Sequence, residues 1–405
     1  MASNRLPLEG VTIADFSWVL AGPRATSYLG AMGAKVIKIE GPYRPDQFRA
    51  GPTPTTETED YSMNFWILNY SKLDCTVDIM QPKGRELALE IVTHSDVVIE
   101  NYAYGVMEKA GLTYEDIRKV KPDIIMVSGS ALGKSGPDKG HVTYGALLHA
   151  FCGLNAITGY EGEQHGSLGG TYTDPLTGIT FVMAILAALW HKRRTGRGQF
   201  IDLSMAETSI AQIPEFFLDY TVNGRLSGPQ GNNDGRGAAP HNSYPCSEAD
   251  SWLAIAVNNQ QEWESFCQVI GHPEWTKDSR FGDQFSRWKH RAELDKFVAG
   301  WTRTQQAFNA MHALQTAGVA AAVCQNNKAV LEDAHLNARG YYVELEHERV
   351  GRKPIMRVPW LFESGPNGQY FPAPLLGQDN DIVFREILGL SDEKLSDLRA
   401  SRVIL

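Results

Sequence analysis

Val11-Thr12-Ile13-Ala14-Asp15-Phe16, then Gly22-Pro23, then Lys35-Val36-Ile37-Lys38-Ile39-Glu40 decide the fold. The first and last runs are short, apolar and rich in β-branched residues, as buried strands are. Between them Pro23 marks the start of a helix that ends near Met32, because proline's fixed φ suits the first helical position. Strand, helix and strand in that order make a parallel βαβ unit. The pattern recurs downstream. Thr76-Val77-Asp78-Ile79 reads as a strand, Pro82 to His94 as a helix and Val97-Val98-Ile99-Glu100-Asn101 as a strand. Tyr114 to Val120 then reads as a helix and Ile124-Ile125-Met126-Val127-Ser128 as another strand. The alternation predicts an α/β fold, a Rossmann-like parallel sheet with helices on both faces. Ligands of such sheets bind outside the carboxyl ends of the strands. That points to Ser17 to Ala21, Asn101-Tyr102 and Ser128 to Gly133.

The chain has 405 residues, 43% of them hydrophobic and 21% charged, which suits a globular protein with room for two domains. A formal net charge of -9 argues against a nucleic-acid surface. The five cysteines (Cys75, Cys152, Cys246, Cys267, Cys324) form no CxxC pair and read as reduced thiols of a cytoplasmic protein. Eleven histidines show no metal-ligand spacing, so no metal site is expected. The first residues, Met-Ala-Ser-Asn-Arg, lack an apolar signal core. The longest apolar helix candidate, 178 to 190, is too short to span a bilayer, so no membrane is expected.

Residues 41 to 64 have little periodicity and read as a loop, either solvated or a cover for a site. Residues 223 to 240 are the most glycine-dense part of the chain and place a domain boundary. Ser251 to Val257 is a strand, helices follow to about 317, and Gly318 to Val323 closes a smaller α/β unit. A helix, a hairpin-like pair (Tyr341 to Glu348, Lys353 to Val358) and a final helix, Asp392 to Ala400, complete the chain. The domains are therefore 1-220, large and α/β, then 225-325, small, then a segment 330-405 that returns to the large domain.

Several motifs carry less than they suggest. Ser128-Gly129-Ser130-Ala131-Leu132-Gly133-Lys134-Ser135 resembles a phosphate-binding P-loop, but Gly136-Pro137 stands where the helix should begin, and the cradle needs that helix N-terminus. Gly30 and Gly33 end a helix before a strand, the reverse of a dinucleotide fingerprint. The run His191-Lys192-Arg193-Arg194 reads as a helix C-terminus complementing its dipole. Asp174 is different. It lies in Gly169-Gly170-Thr171-Tyr172-Thr173-Asp174-Pro175, ahead of the apolar run from Gly178 to Trp190. A carboxylate at the mouth of a buried helix is costly unless it is paired, caps the helix or is put to use.

In chain order, several segments resemble one enzyme family: Ala14-Asp15-Phe16-Ser17 through Leu20-Ala21-Gly22-Pro23; Gly33-Ala34-Lys35-Val36-Ile37-Lys38-Ile39-Glu40; Val98-Ile99-Glu100-Asn101-Tyr102; Ser130 to Pro137; Arg194-Thr195-Gly196-Arg197-Gly198-Gln199; Glu332 to Gly340; and Pro374-Leu375-Leu376-Gly377. The chain resembles the family III CoA-transferases, which include the formyl-CoA, carnitine and benzylsuccinate enzymes. The resemblance covers nearly the whole chain. It implies an interlocked dimer, either a homodimer or a heteromer with a related subunit. It also implies acyl-CoA and carboxylic acid substrates, with no permanently bound cofactor beyond the CoA thioesters themselves.

The resemblance further implies that Asp174 is the covalent nucleophile. It implies CoA contacts at Leu20, Ala21, Val77, Asp78, Ile79, Met80, Asn101, Tyr102 and Ala103, with Lys109 facing a phosphate. The family pattern places an arginine after the Lys-x-Glu strand end. Here Gly41-Pro42 stand there, and Arg44 or Arg49 is left to serve instead. Oxyanion donors would come from backbone near Gly169, Gly170, Gly231, Gly235 and Gly237, although glycine by itself reads first as a turn residue. Trp18 and Leu20 make the 17 to 21 turn bulky, which suggests an acyl group larger than formyl. Arg236 suits a second carboxylate. The expectation is transfer from succinyl-CoA to an aromatic or branched dicarboxylate, with benzylsuccinate the leading candidate. α-Methylacyl-CoA racemases share the fold and use a His-Asp pair as the second acid/base. That pair falls on Tyr144-Gly145 here, which favours transfer. A non-catalytic subunit of a heteromeric transferase is a third reading, against which the retained Asp174 speaks.

Overall fold

The computed structural model describes residues 5–50, 60, 62–164, 166–233, 235 and 237–405. Six strands, β1 (Thr12–Asp15), β2 (Lys35–Glu40), β3 (Leu73–Thr76), β4 (Val97–Glu100), β5 (Ile125–Ser130) and β6 (Phe200–Ser204), form one sheet in the order β3-β2-β1-β4-β5-β6. Every pairing in it is parallel. This is the doubly wound arrangement, with its switch point between β1 and β4.

The strands are buried on both sides, which is why they read as continuous apolar runs. Successive residues still alternate between two cores. Ala14, Ile37, Ile39, Val98 and Met126 meet the helices Pro82–Thr93 and Tyr114–Val120 and the C-terminal residues Val403 and Ile404. Ile13, Val36, Val97, Ile99, Ile125 and Val127 face the helices Ala21–Ala31 and Thr173–Thr195.

Three boundaries differ from the sequence reading. The third strand is Leu73–Thr76, and Val77 to Met80 is the loop that leaves it. Pro23 is the third residue of the helix Ala21–Ala31, where its missing N–H still removes no helical bond. The apolar helix runs from Thr173 to Thr195, 23 residues, and by length and composition it is long enough to cross a membrane. One side of it packs on the sheet through Phe181, Val182, Ile185 and Ala188, while Ile179, Met183 and Trp190 on the other side are more than half exposed.

By internal contacts the chain divides into two units. The first holds the six-stranded sheet, Ser167–Leu226 and Ala338–Leu405. The second holds Asn155–Gly166 and Ser227–Asn337. The second unit has an antiparallel sheet of β7 (His241–Pro245), β8 (Trp252–Ala256) and β9 (Ala320–Val323) in that order. One face of it carries a core of Trp263, Phe266, Phe281, Leu294, Val298 and Leu314. The first unit is completed by the hairpin β10 (Tyr342–His347) and β11 (Gly351–Met356) and the helix Asp392–Ala400.

Candidate active site

The loop after β1 is held by buried charge. Asp15 ends the strand, and its carboxylate accepts from the Ser17 amide at 2.9 Å, the Thr26 hydroxyl at 2.6 Å and the Lys72 ammonium at 3.1 Å. Burial alone would raise Asp15, but Lys72, Lys38 and the hydroxyls of Ser17 and Thr26 hold it below its usual range. Trp18 is fixed through its backbone: its amide donates to Asn101 Oδ1 at 2.7 Å, and its carbonyl accepts from Asn101 Nδ2 at 2.9 Å. Gly22 makes the turn possible, because a Cβ there would fall 2.2 Å from that of Ser17.

The loop after β3 is equally constrained. A side chain at Gly84 would stand 1.9 Å from the Asp78 carbonyl oxygen, so only glycine lets the helix Pro82–Thr93 start against this loop. The C-terminal end braces it from outside, with the Asp78 amide donating to the Val403 carbonyl at 2.8 Å.

Between these loops lies a cavity of about 200 Å³, lined by Trp18, Ile39, Gly41, Arg44, Val77, Asp78, Ile79, Met80, Tyr102 and Val106. It sits outside the carboxyl ends of β1, β2, β3 and β4, beside the switch point of the sheet. The Trp18 and Tyr102 rings meet edge to face at 5.4 Å. The Arg44 guanidinium lies 5.8 Å from the Trp18 ring, within cation–π range. The Trp18 indole N–H is buried and has no hydrogen-bond partner.

Of the residues singled out from sequence, Trp18, Val77, Asp78, Ile79, Met80 and Tyr102 come together here. Leu20 and Ala21 follow Trp18 into the first turn of the helix Ala21–Ala31. Asn101 supports the Trp18 backbone. Ala103 and Lys109 do not line the cavity, although Val106, on the same short helix as Lys109, does. The two arginines offered for the missing family arginine lie in different surroundings. Arg49 is fully buried and bonded to Glu40, Asp60 and Asp74, so it has no reach into the cavity. Arg44 is on the cavity wall.

The glycine-rich segment after β5 forms bends and turns, and the next helix starts only at Gly145. Lys134 from this segment donates to the Tyr102 carbonyl at 3.1 Å and pairs with buried Glu100 at 3.2 Å. It therefore pins the loop after β4 and cradles no phosphate. A larger hollow of about 560 Å³ in the second unit lies over the alanines of β8 and β9 and, among the described residues, is lined by no carboxylate, lysine or arginine.

Asp174 lies in the first turn of the helix Thr173–Thr195. It does not cap that helix: the cap position is Tyr172, and no side chain bonds there. The carboxylate is half-buried, and the Thr173 hydroxyl lies 3.3 Å from Oδ2. Burial pushes it up from 3.8 to about 6, only partly offset by the Thr173 hydroxyl and a backbone amide. Gly145, which the racemase comparison aligned opposite the nucleophile without giving it a role, stands against it. A Cβ at Gly145 would sit 2.4 Å from Asp174 Oδ2 and 2.9 Å from the Thr171 Cβ. The space beside the carboxylate therefore exists because residue 145 is glycine. One turn on, Gly178 packs against the start of the helix Ala21–Ala31, and a Cβ there would lie 3.0 Å from the Ala21 carbonyl oxygen. The helix bearing Asp174 thus seats directly on the helix that begins at the cavity loop.

Tyr144 is largely exposed, and His141 is an exposed partner of Asp138. Gly169 and Gly170 are turn residues with open space around them. Gly231, Gly235 and Gly237 belong to the second unit, and Arg236 falls outside the described residues.

Residues 8–380 match the model of CoA-transferase family III. The chain is 30% identical over 407 residues, all of both chains, to a succinyl-CoA–D-citramalate CoA-transferase of Chloroflexus aurantiacus. It is 30% identical over 402 residues to a human succinyl-CoA:glutarate CoA-transferase, covering 99% of this chain and 91% of that one. A crystal structure of a CaiB/BaiF family protein from Brucella suis superposes with a TM-score of 0.86 at 28% identity, covering 95% of this chain and all of the other.

Proposed function

This chain belongs to CoA-transferase family III, and on that premise we propose that it moves CoA from succinyl-CoA to a small dicarboxylate, with Asp174 as the covalent nucleophile. The observation that carries the reading is the join between the two parts of the site. The cavity loop runs into the helix Ala21–Ala31, and that helix abuts Gly178, one turn from a carboxylate with a raised pKa. A CoA nucleotide in the cavity would send its pantetheine along this seam toward Asp174.

The chemistry follows from the carboxylate. Ionised Asp174 attacks the succinyl thioester carbonyl, and the C–S bond breaks. This leaves a mixed anhydride and CoA thiolate. The thiolate attacks the aspartyl carbonyl, succinate leaves as a carboxylate, and an aspartyl thioester remains. The acceptor carboxylate then attacks that thioester and expels CoA thiolate again. The thiolate takes the acceptor acyl group from the new anhydride and frees Asp174. No proton is gained or lost over the cycle. A raised pKa makes the ionised carboxylate a stronger nucleophile than an ordinary aspartate.

The donor and acceptor class rest on the two relatives, whose names specify succinyl-CoA with citramalate or glutarate. On this reading the bulk of Trp18, one ground for benzylsuccinate, bears on the nucleotide instead, because Trp18 lines the cavity. A panel of acids offered with succinyl-CoA tests the reading. Citramalate and glutarate should be converted well and benzylsuccinate poorly. Equal or better turnover of oxalate or carnitine would reject the dicarboxylate preference.

A pairing with a second copy or a related subunit is part of the same proposal. Leu147, Phe151, Ile179, Met183, Trp190, Leu218 and Val222 are apolar and more than half exposed, too many for a surface facing only water. A reducing cytoplasmic setting suits the five unpaired cysteines.

A further inference from the structure

Val19 holds a backbone conformation that a β-branched residue rarely adopts, with φ at 67°. It stands between Trp18, which walls the cavity, and Leu20, which leads into the helix Ala21–Ala31. Such strain persists only where the surroundings over-determine it. Here one carboxylate does so. The Val19 amide donates to both oxygens of Asp46, at 3.2 and 3.1 Å. Asp46 also accepts from the Phe48 amide at 3.0 Å and from the Lys38 ammonium at 3.2 Å. Its own amide donates to Glu40 at 2.7 Å. Lys38 completes the circuit by donating to the Ser17 carbonyl at 2.8 Å. Asp46 and Lys38 are both fully buried.

The clamp therefore joins two loops that share no other such anchor among the described residues. One carries Trp18, the other Arg44, and those side chains face each other across the cavity wall. We propose that Asp46, braced by Lys38, is a positioning residue that sets the nucleotide-binding wall of the CoA site by holding Val19 in its left-handed conformation. This rests on the reading of the cavity as the CoA nucleotide site. Asp46 touches no reacting atom. It makes the Trp18–Arg44 wall available before the substrate arrives, so the cost of ordering two loops is not charged against binding.

The test uses the full-length enzyme with two donors, succinyl-CoA and a truncated succinyl thioester of N-acetylcysteamine that lacks the nucleotide. Asp46→Glu keeps a charge for Lys38 but moves the carboxylate off the Val19 amide. Asp46→Asn keeps the shape and removes the charge. In both, kcat/KM for succinyl-CoA relative to the truncated donor should fall about tenfold, through KM, with kcat held within about twofold. Adding Val19→Gly to Asp46→Asn should restore much of the loss, because glycine takes the left-handed conformation without a clamp. Should Asp46→Asn fold poorly, Asp46→Glu carries the comparison alone. A folded Asp46→Glu variant with unaltered preference for succinyl-CoA overturns the proposal, and so does an equal loss with both donors. Arg44→Ala and Met80→Trp separate the two levels. If they also leave the affinity for succinyl-CoA unchanged, the cavity is not the nucleotide site and the premise falls. If they weaken it while Asp46→Glu does not, only the clamp is wrong.

Discussion

The cavity loops and the neighbourhood of Asp174 are built in opposite ways. Around the cavity the buried charges sit in bonded networks, although Glu40 and Asp74 share one guanidinium, and burial, with Glu40 beside it, raises Asp74 well above the usual carboxylate range. Asp15 meets Lys72, Lys38 meets Asp46, and Arg49 meets Glu40, Asp60 and Asp74. Burial alone would raise Glu40, but Arg49 and Lys38 hold it well below the usual carboxylate range. Asp174 has no cation beside it among the described residues. It has one threonine hydroxyl, a glycine that leaves it room, and enough burial to raise its pKa to about 6. A binding wall gains from satisfied charges because they pin it. A nucleophile gains from a charge left poorly satisfied, since stabilising the carboxylate would lower its reactivity.

The sharpest break in that contrast is Asp174→Asn. It should reduce CoA transfer by about 10³-fold or more, measured as steady-state turnover. It should also stabilise the protein. Raising a carboxyl from 3.8 to about 6 corresponds to ~3 kcal/mol, and partial exposure reduces this to roughly 1–2 kcal/mol. The sign follows from proton linkage: the folded state binds the proton more tightly, so stability falls as pH rises between about 4 and about 6. Thermal melts should show the Asn variant melting higher at pH 7, with the difference gone at pH 4.

Arg49→Met attacks the satisfied side. It leaves Glu40 and Asp74 buried without their cation, so unfolding by urea should show a loss of about 3–5 kcal/mol. Gly145→Ala comes next. Its methyl would displace the Asp174 carboxylate, and a misplacement of that size should cost about 10²-fold in kcat. The fold should survive, because the side chain can turn away, so the melting temperature should move little. Arg44→Ala should be mildest, with KM for succinyl-CoA raised about tenfold and kcat nearly unchanged, since the residue sits on the proposed nucleotide cavity.

The sheet was legible because its strands are buried on both faces and separated by helices with clear starts. The helices Tyr114–Val120 and Asp392–Ala400 fall at the residues read for them. β3 was misread for a physical reason. Val77 and Ile79 look like a strand, whereas the true strand follows Lys72 and contains Asp74, charges whose partners Asp15 and Arg49 come from distant sequence. The apolar helix was drawn only over its apolar run, 178 to 190, whereas the structure extends it at both ends through polar residues, and the hydroxyls of Thr177 and Thr180 bond back to carbonyls one turn earlier. Within the site, the residues of the Val77 to Met80 loop were nameable from family resemblance. The space that Gly145 leaves for Asp174, and the different burial of Arg44 and Arg49, depend on contacts across the fold that no local pattern carries.

The most direct measurement is mass spectrometry of the enzyme mixed with succinyl-CoA and quenched with hydroxylamine, which converts an activated aspartyl ester or thioester to a hydroxamate. The expected result is a hydroxamate confined to the peptide containing Asp174 and absent from the Asn variant. Active turnover with Asp174 unmodified, or with the label on another carboxylate, would contradict the account.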